Sequence, residues 1–319
     1  MKKPMYRRKV YRAGRTVEIE ETFPTQYGDG LTRAKRKVNG PGTRLDVENY
    51  NHELAVRRLT RLLNENFVPY DWWLTLTYEK SNRPKTVEEA KNQVSKFVLQ
   101  LKKLYKKKGI EFKYVKSIPA IGEKGAVHHH LVIPQGVSQR EISALWKETI
   151  RAGPRARPPD FTPLYEDEEY SALAAYIVGQ KDDSEEYAEL EEKYGTFKPA
   201  EKNVKKWTCS HNLRKPKEEP PEIIEDIKWQ EPPMPPPGYY IDTDSIRAGT
   251  NPVTGRPYLF YRMVRMRSSF ECWDDNGKKL SGREAIRYFR KHNKKYIKEN
   301  WEKIAPEGEI VLKGVKKNE

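Results

Sequence analysis

The sequence predicts an α+β fold, a mostly antiparallel sheet with helices packed on one face, and three observations carry that reading. Trp72-Trp-Leu-Thr-Leu-Thr-Tyr78 alternates like a half-buried strand, with Trp72, Leu74, Leu76 and Tyr78 on one side and Trp73, Thr75 and Thr77 on the other. Thr86-Val-Glu-Glu89 and Ser138-Gln-Arg-Glu141 are capping boxes, in which a hydroxyl and a carboxylate satisfy backbone amides at a helix start. The order strand, helix, strand, strand, helix belongs to sheets with segregated helices.

Taken in order, residues 1–45 form a basic arm with strand character from Lys9 to Glu20 and turn residues around Tyr27-Gly-Asp-Gly30. Asp46 caps a helix to about Asn64, with Val47, Tyr50, Leu54, Leu62 and Leu63 near one face. The Thr86 box opens a helix to about Lys107 whose stripe is Val87, Ala90, Val94, Phe97, Val98, Leu101 and Leu104, and Gly109 ends it. Residues 111–118 and 125–133 read as a hairpin turning at Gly122-Glu-Lys-Gly125. The Ser138 box starts a helix carrying Ile142, Leu145, Trp146 and Ile150, and another helix covers about 168–179. A proline-rich junction, 214–237, separates the domain at 46–213 from a C-terminal part, 238–319. That part holds strands at 238–242 and 257–265 and a very basic helix at about 282–302.

At 319 residues the chain can bury a core in one large domain or two small ones. No stretch approaches the ~18 apolar residues of a membrane helix. Met1-Lys-Lys-Pro-Met-Tyr-Arg-Arg8 lacks the apolar centre of a secretory signal, so a cytoplasmic location is expected. The two cysteines, Cys209 and Cys272, cannot build a disulfide framework and make a poor zinc site. Net charge is +15 and sits at the ends: 15 Lys/Arg against 8 Asp/Glu in residues 1–66, and 17 against 9 in residues 256–319. Basic ends around a neutral centre suit a phosphate-backbone ligand, although a solvated surface would look the same.

The sharpest chemical signal is Ala126-Val-His-His-His-Leu-Val-Ile133. Side chains alternate along a strand, so His128 and His130 share one face and His129 takes the other. Two imidazoles spaced i, i+2 can chelate one divalent ion through neutral nitrogens, whereas an isolated strand pair is more often structural. The second signal is Tyr176. At 100° per residue Leu173, Ala174, Ile177 and Val178 cluster on one side of their helix with Tyr170 in the middle. Tyr176 lies nearly opposite, available to the sheet or to solvent. A helical tyrosine is most often packing, and a phenol is a poor nucleophile at neutral pH. A metal that withdraws charge from a phosphodiester makes its attack on phosphorus feasible.

In this order, Trp73-Leu-Thr-Leu-Thr-Tyr78, Val127-His-His-His-Leu-Val-Ile133 and Leu173-Ala-Ala-Tyr176 resemble the three motifs of HUH endonucleases. More narrowly, the chain is similar to replication-initiator proteins of bacterial plasmids, phages and integrated elements. Further landmarks are Asn66-Phe67, Trp207-Thr-Cys-Ser-His-Asn-Leu-Arg-Lys-Pro216, Gly238-Tyr-Tyr-Ile-Asp-Thr-Asp-Ser245 and Thr254-Gly-Arg-Pro-Tyr-Leu-Phe-Tyr261, so the resemblance spans about 45–265. It implies an RRM-like (ferredoxin-like) sheet, His128 and His130 holding Mg²⁺ or Mn²⁺, and Tyr176 attacking the scissile phosphate of single-stranded DNA. The product would be a 5′-phosphotyrosine and a 3′-hydroxyl that primes rolling-circle synthesis. Thr75 and Thr77 would lie beside the histidines. The implied partners are single-stranded and origin DNA and a host helicase, with no membrane.

The chain departs from the family pattern at two positions. A third, acidic ligand usually stands about eight residues before the first histidine, where this chain has Ala120; Glu123 is the nearest carboxylate that could replace it. A lysine usually follows the tyrosine by one turn, where Gly179 and Gln180 stand, so Lys181 could serve only if the helix breaks at Gly179. The competing readings are a transposase or mobilisation relaxase with the same chemistry, and a catalytically impaired origin-binding protein that kept the fold. A zinc hydrolase is more distant, because nothing supplies a third zinc ligand together with a general base.

Overall fold

The computed structural model describes residues 6–22, 44–117, 128–153, 157–164, 169–179, 207–224, 233–251 and 257–304. Along the chain run β1 (Tyr6–Ala13), β2 (Thr16–Thr22), α1 (Arg44–Asn66), β3 (Trp72–Thr77), α2 (Val87–Lys107), β4 (Val115–Ser117), β5 (His128–Ile133) and α3 (Gln139–Thr149). They are followed by β6 (Asp160–Pro163), α4 (Ser171–Val178), β7 (Trp207–Cys209), β8 (Lys217–Glu218), β9 (Glu222–Ile224), β10 (Tyr239–Thr250), β11 (Pro257–Arg265), β12 (Glu271–Trp273), β13 (Lys279–Ser281) and α5 (Gly282–Ile304). The fold is α+β with antiparallel sheets, in two compact units: residues 55–215, and residues 1–54 with 216–319. Among the described residues no helix is long and apolar enough to cross a membrane.

The 55–215 unit is built on a five-stranded sheet of order β6-β3-β5-β4-β7, antiparallel throughout. Its two faces follow from the strand period of two. Leu74, Leu76, Leu131 and Ile133 occupy one face and pack against Val94, Phe97 and Leu101 of α2 and Ile142 and Trp146 of α3. The capping boxes set where these helices begin. Ser138 and Glu141 exchange both hydrogen bonds, whereas Thr86 Oγ1 accepts from the Glu89 amide (3.1 Å) and Glu89 Oε2 accepts from Lys85 N (2.8 Å). α2 and α3 thus lie on one face, as expected. Trp73, Val115 and Val132 on the other face meet Leu59 and Leu63 of α1 and the whole of α4. α4 reads Ser-Ala-Leu-Ala-Ala-Tyr-Ile-Val, apolar on every side, and every residue from Ala172 to Val178 is buried. A helix with no polar face must be covered all round, which is why the second face also carries helices.

β6 was not foreseen. Asp160-Phe-Thr-Pro163 is short and ends in proline, which is tolerated here because β6 is an edge strand. β4 is shorter than the predicted 111–118, and its expected connection to β5 at 122–125 lies outside the described residues. Asp71 ties the start of β3 to the end of β5: its Oδ2 accepts from Val68 N (3.0 Å) and its Oδ1 from Gln135 N (3.0 Å).

The other unit joins segments that read separately in the sequence. β1 and β2, from the basic arm, pair with β11, so the sheet runs β10-β11-β2-β1-β8, with β9 also on β1. Val17, Ile19, Ile241, Leu259 and Met263 form its core with Ile297 and Trp301 of α5. α5 also covers the edge of β10, where the Asn293 amide accepts from Ile241 N (3.0 Å) and donates to Ile241 O (2.9 Å). An edge with satisfied backbone groups is no longer a template for misplaced strands. Glu18 and Arg262 lie opposite each other across β2 and β11, 1% and 4% exposed, joined through Arg262 Nε at 3.1 Å. A buried pair is costly to break because the survivor stays desolvated. Arg262→Ala should therefore destabilise by about 3–5 kcal/mol in urea denaturation, while Glu18→Leu/Arg262→Met should lose far less. Equal losses in the two variants would show that packing rather than charge holds this position.

Candidate active site

Pairing with β3 sorts the three histidines that open β5. Thr77 lies opposite His128, Leu76 opposite His129 and Thr75 opposite His130. His128 and His130 therefore share a face with Trp73 and Thr75, their ring centroids 5.0 Å apart. His129 enters the opposite layer, where Tyr78 Oη is 2.8 Å from its Nε2 and Trp146 lies edge-on at 6.3 Å.

His130 is held on four sides. Trp73 stacks on its ring at 4.7 Å and 6°. Thr75 Oγ1 is 3.1 Å from Nδ1, Ser117 Oγ accepts from its backbone amide at 3.1 Å, and Tyr176 stands edge-on at 5.4 Å. A partner on Nδ1 fixes ring orientation and leaves Nε2 as the nitrogen a metal would take. Burial favours the neutral form of all three imidazoles. It lowers the pKa of His128, and takes His129 down to about 3 with help from Lys116 and His128. His130 is held well below the usual range by burial and then by its two histidine neighbours. Neutral imidazole is the form that binds metal.

Tyr176 approaches from α4. Of the two orientations open to it in the sequence, it takes the one toward the sheet: fully buried, edge-on to Trp73 at 6.3 Å and to His130. Tyr170, at the start of the helix, is buried too, as expected, and its amide donates to Asn64 Oδ1 (3.1 Å). α4 ends at Gly179, whose φ of 73° is left-handed and suits glycine. Ala120, Glu123 and Lys181 lie outside the described residues. Among the described residues, no group of three or more His, Cys, Asp or Glu could hold a metal. Thr75, His128, His130 and Tyr176 are thus brought together, with Thr77 beside His128 in the ladder. Two contributors were missed. Trp73 was placed on the right side by alternation, but its stacking on an imidazole has no sequence signature. Ser117 could have been found by extending the same alternation to β4.

Residues 71–178, about a third of the chain, match the family model of the ORF2-type replication-associated proteins. The chain is similar to that family over a stretch that contains β3, the histidines and Tyr176. No curated protein and no solved structure gives a significant match.

The buried histidines make stability sensitive to acid. A folded-state pKa depressed below the unfolded value of about 6.5 means that the unfolded chain binds more protons at lower pH. The penalty begins as pH drops below about 6.5 and, for His129, grows until about 3. Each such histidine steepens the fall by about 1.4 kcal/mol per pH unit. His129→Gln, which keeps an acceptor near Tyr78, should remove one histidine's share of that slope in denaturation series from pH 7 to 4. Identical slopes for the two proteins would refute a neutral, buried His129.

Proposed function

We propose that the chain is a rolling-circle replication initiator of the HUH type, which nicks and rejoins single-stranded DNA at an origin with Tyr176 as nucleophile. The observation that carries this reading is the placement of Tyr176 at 5.4 Å from His130, itself paired with His128, inside a stretch similar to replication-associated proteins. The strand order β6-β3-β5-β4, with α2 after β3 and α3 after β5, supports an RRM-like core for the nuclease.

His128 and His130 fit one divalent ion, Mg²⁺ or Mn²⁺, because they share a face and are held neutral by burial. Such an ion, when bound, withdraws charge from the scissile phosphodiester. Glu123 is the proposed third ligand. Thr75 and Trp73 fix the His130 ring, so the ligand nitrogen needs no reordering during the reaction. The Tyr176 oxygen attacks phosphorus; its bond to phosphorus forms as the bond to the 3′ oxygen breaks. The phenolic proton leaves, and the 3′ oxygen takes up a proton to become a hydroxyl. The aryl phosphate ester stays reactive enough for that hydroxyl, or another, to reverse the step. Because Tyr176 is buried, DNA reaches it only after the site opens. A host helicase would then extend the opened strand. That burial also favours a second reading, an origin-binding protein that no longer cleaves.

The two readings part on covalent chemistry. With Mn²⁺ and a single-stranded origin oligonucleotide, the wild-type chain should form a covalent adduct that EDTA abolishes. Tyr176→Phe removes one hydroxyl and should eliminate the adduct with folding unchanged, whereas Tyr170→Phe should retain it. His128→Ala and His130→Ala should lower the yield 100-fold or more, and Thr75→Val about 10-fold, in line with the loss of a ligand's hydrogen-bond partner. Peptide mapping decides the nucleophile: a DNA-linked peptide with any other tyrosine overturns the assignment, and no adduct at all leaves the binding-only reading.

A further inference from the structure

α5 is amphipathic in an unusual sense, since one side belongs to the core and the other is almost purely cationic. Ala285, Ile297 and Trp301 are buried, Phe289 packs edge-on against Tyr240 and Phe270, and Asn293 grips β10. At 100° per residue, Arg283, Arg287, Lys291, Lys294 and Lys298 fall within about 80° of one another and extend over about 22 Å of helix. Four of these five are exposed and Lys294 is partly so. None of the five forms an ion pair among the described residues; the nearby pairs use Lys278 with Glu284 and Lys295 with Glu299. The stripe is held rigidly, because the hairpin of β12 and β13 packs Cys272 on the first turn of α5 and brings Asp275 to His292 at 3.5 Å.

We propose that this face of α5 docks the phosphate backbone of duplex DNA without reading its bases. The inference rests on the replication-initiator reading for its ligand, and assigns that ligand to a surface apart from the tyrosine chemistry. Charge complementarity selects a polyanion, and the composition of the stripe selects among polyanions. Surfaces for single strands interleave stacking aromatics with charge. Here the aromatic residues lie off the stripe: Tyr288 is packed on His292 at 4.0 Å, Phe289 and Trp301 face inward, and exposed Tyr296 falls about 180° round the helix. An anionic membrane would need a free apolar face, and that of α5 is already buried in its own sheet. Phosphate contacts alone position a protein on DNA but carry no sequence information.

The test uses the full chain with Arg287→Gln/Lys291→Gln/Lys298→Gln, three exposed positions whose neutralisation should leave the thermal midpoint unchanged. Affinity for a 30-bp duplex, for an unrelated duplex and for a single strand is measured by anisotropy across a salt series. Both duplexes should bind at least 10-fold more weakly at low salt, and the slope of log K against log salt should shrink by about 2.5, close to 0.9 per lost phosphate contact. Single-strand affinity should change less than twofold. Lys298→Gln alone should reduce the slope by about 0.9, and serves if the triple variant folds poorly. An unchanged duplex slope overturns the proposal, and so does an equal loss on the single strand or a loss on one duplex only. The tyrosine adduct on a saturating oligonucleotide is scored in parallel: its absence from the wild-type chain, with the duplex slope still altered, sinks the nicking reading and leaves this surface standing.

Discussion

Thr75 faces His130 across the β3–β5 ladder, and the chemistry of both sheet faces follows from that alignment. The side-chain period of a strand is two, so a slip of one residue would send His129 to the Trp73 face and bury His128 and His130 among leucines. The hydrophobic pattern alone would resist such a slip, because Leu74, Leu76, Leu131 and Ile133 all fill one core. Asp71 adds a second restraint, with one carboxylate oxygen on Val68 and the other on Gln135, at the two ends that must stay level. The histidine pair is thus placed by forces that have nothing to do with histidine.

Burial then shapes what those histidines can do. Desolvation keeps all three imidazoles neutral, but their neighbours differ: Tyr78 and Trp146 enclose His129, while Trp73, Thr75, Ser117 and Tyr176 surround His130. One environment is a structural pocket; the other is aromatic walls with hydroxyl groups at chosen corners. A ring fixed by stacking, and by a hydrogen bond on one nitrogen, has a single direction left for its remaining lone pair. The same packing that orients His130 also hides the Tyr176 ring, so order in this site comes at the expense of access.

Much of this could be seen in the residues themselves, wherever a period was long enough to read. Alternation from Trp72 to Tyr78 assigned every side chain of β3 to its observed face, and the capping residues Thr86 and Ser138 stand at the observed N-caps of α2 and α3. Short elements carried no period. β6 is four residues ending in proline, β7 and β9 are three, and β8 is two, too few for a pattern to stand out. Nor could periodicity show that Lys9 to Glu20 contains two strands that belong with β11, because long-range pairing leaves no local trace. At the site, alternation sorted the histidines, whereas the Trp73–His130 stack depends on how the rings turn once packed.

That long-range pairing has a consequence for how the chain is made. β2 pairs with β11, whose residues are translated about 240 positions later. At typical elongation rates of 5–20 residues per second, β2 leaves the ribosome roughly 10 to 50 s before its neighbour exists. During that wait the β1–β2 ribbon has an open edge, which in an apolar strand would invite another nascent chain. Its residues answer that hazard. Glu18, Glu20 and Glu21 on β2, and Arg7, Arg8, Lys9 and Arg12 on β1, put charge on both faces of the ribbon and make a stray strand an unwelcome partner. Glu18, so costly once buried, is a guard while the chain is still emerging, and the late arrival of Arg262 ends its watch.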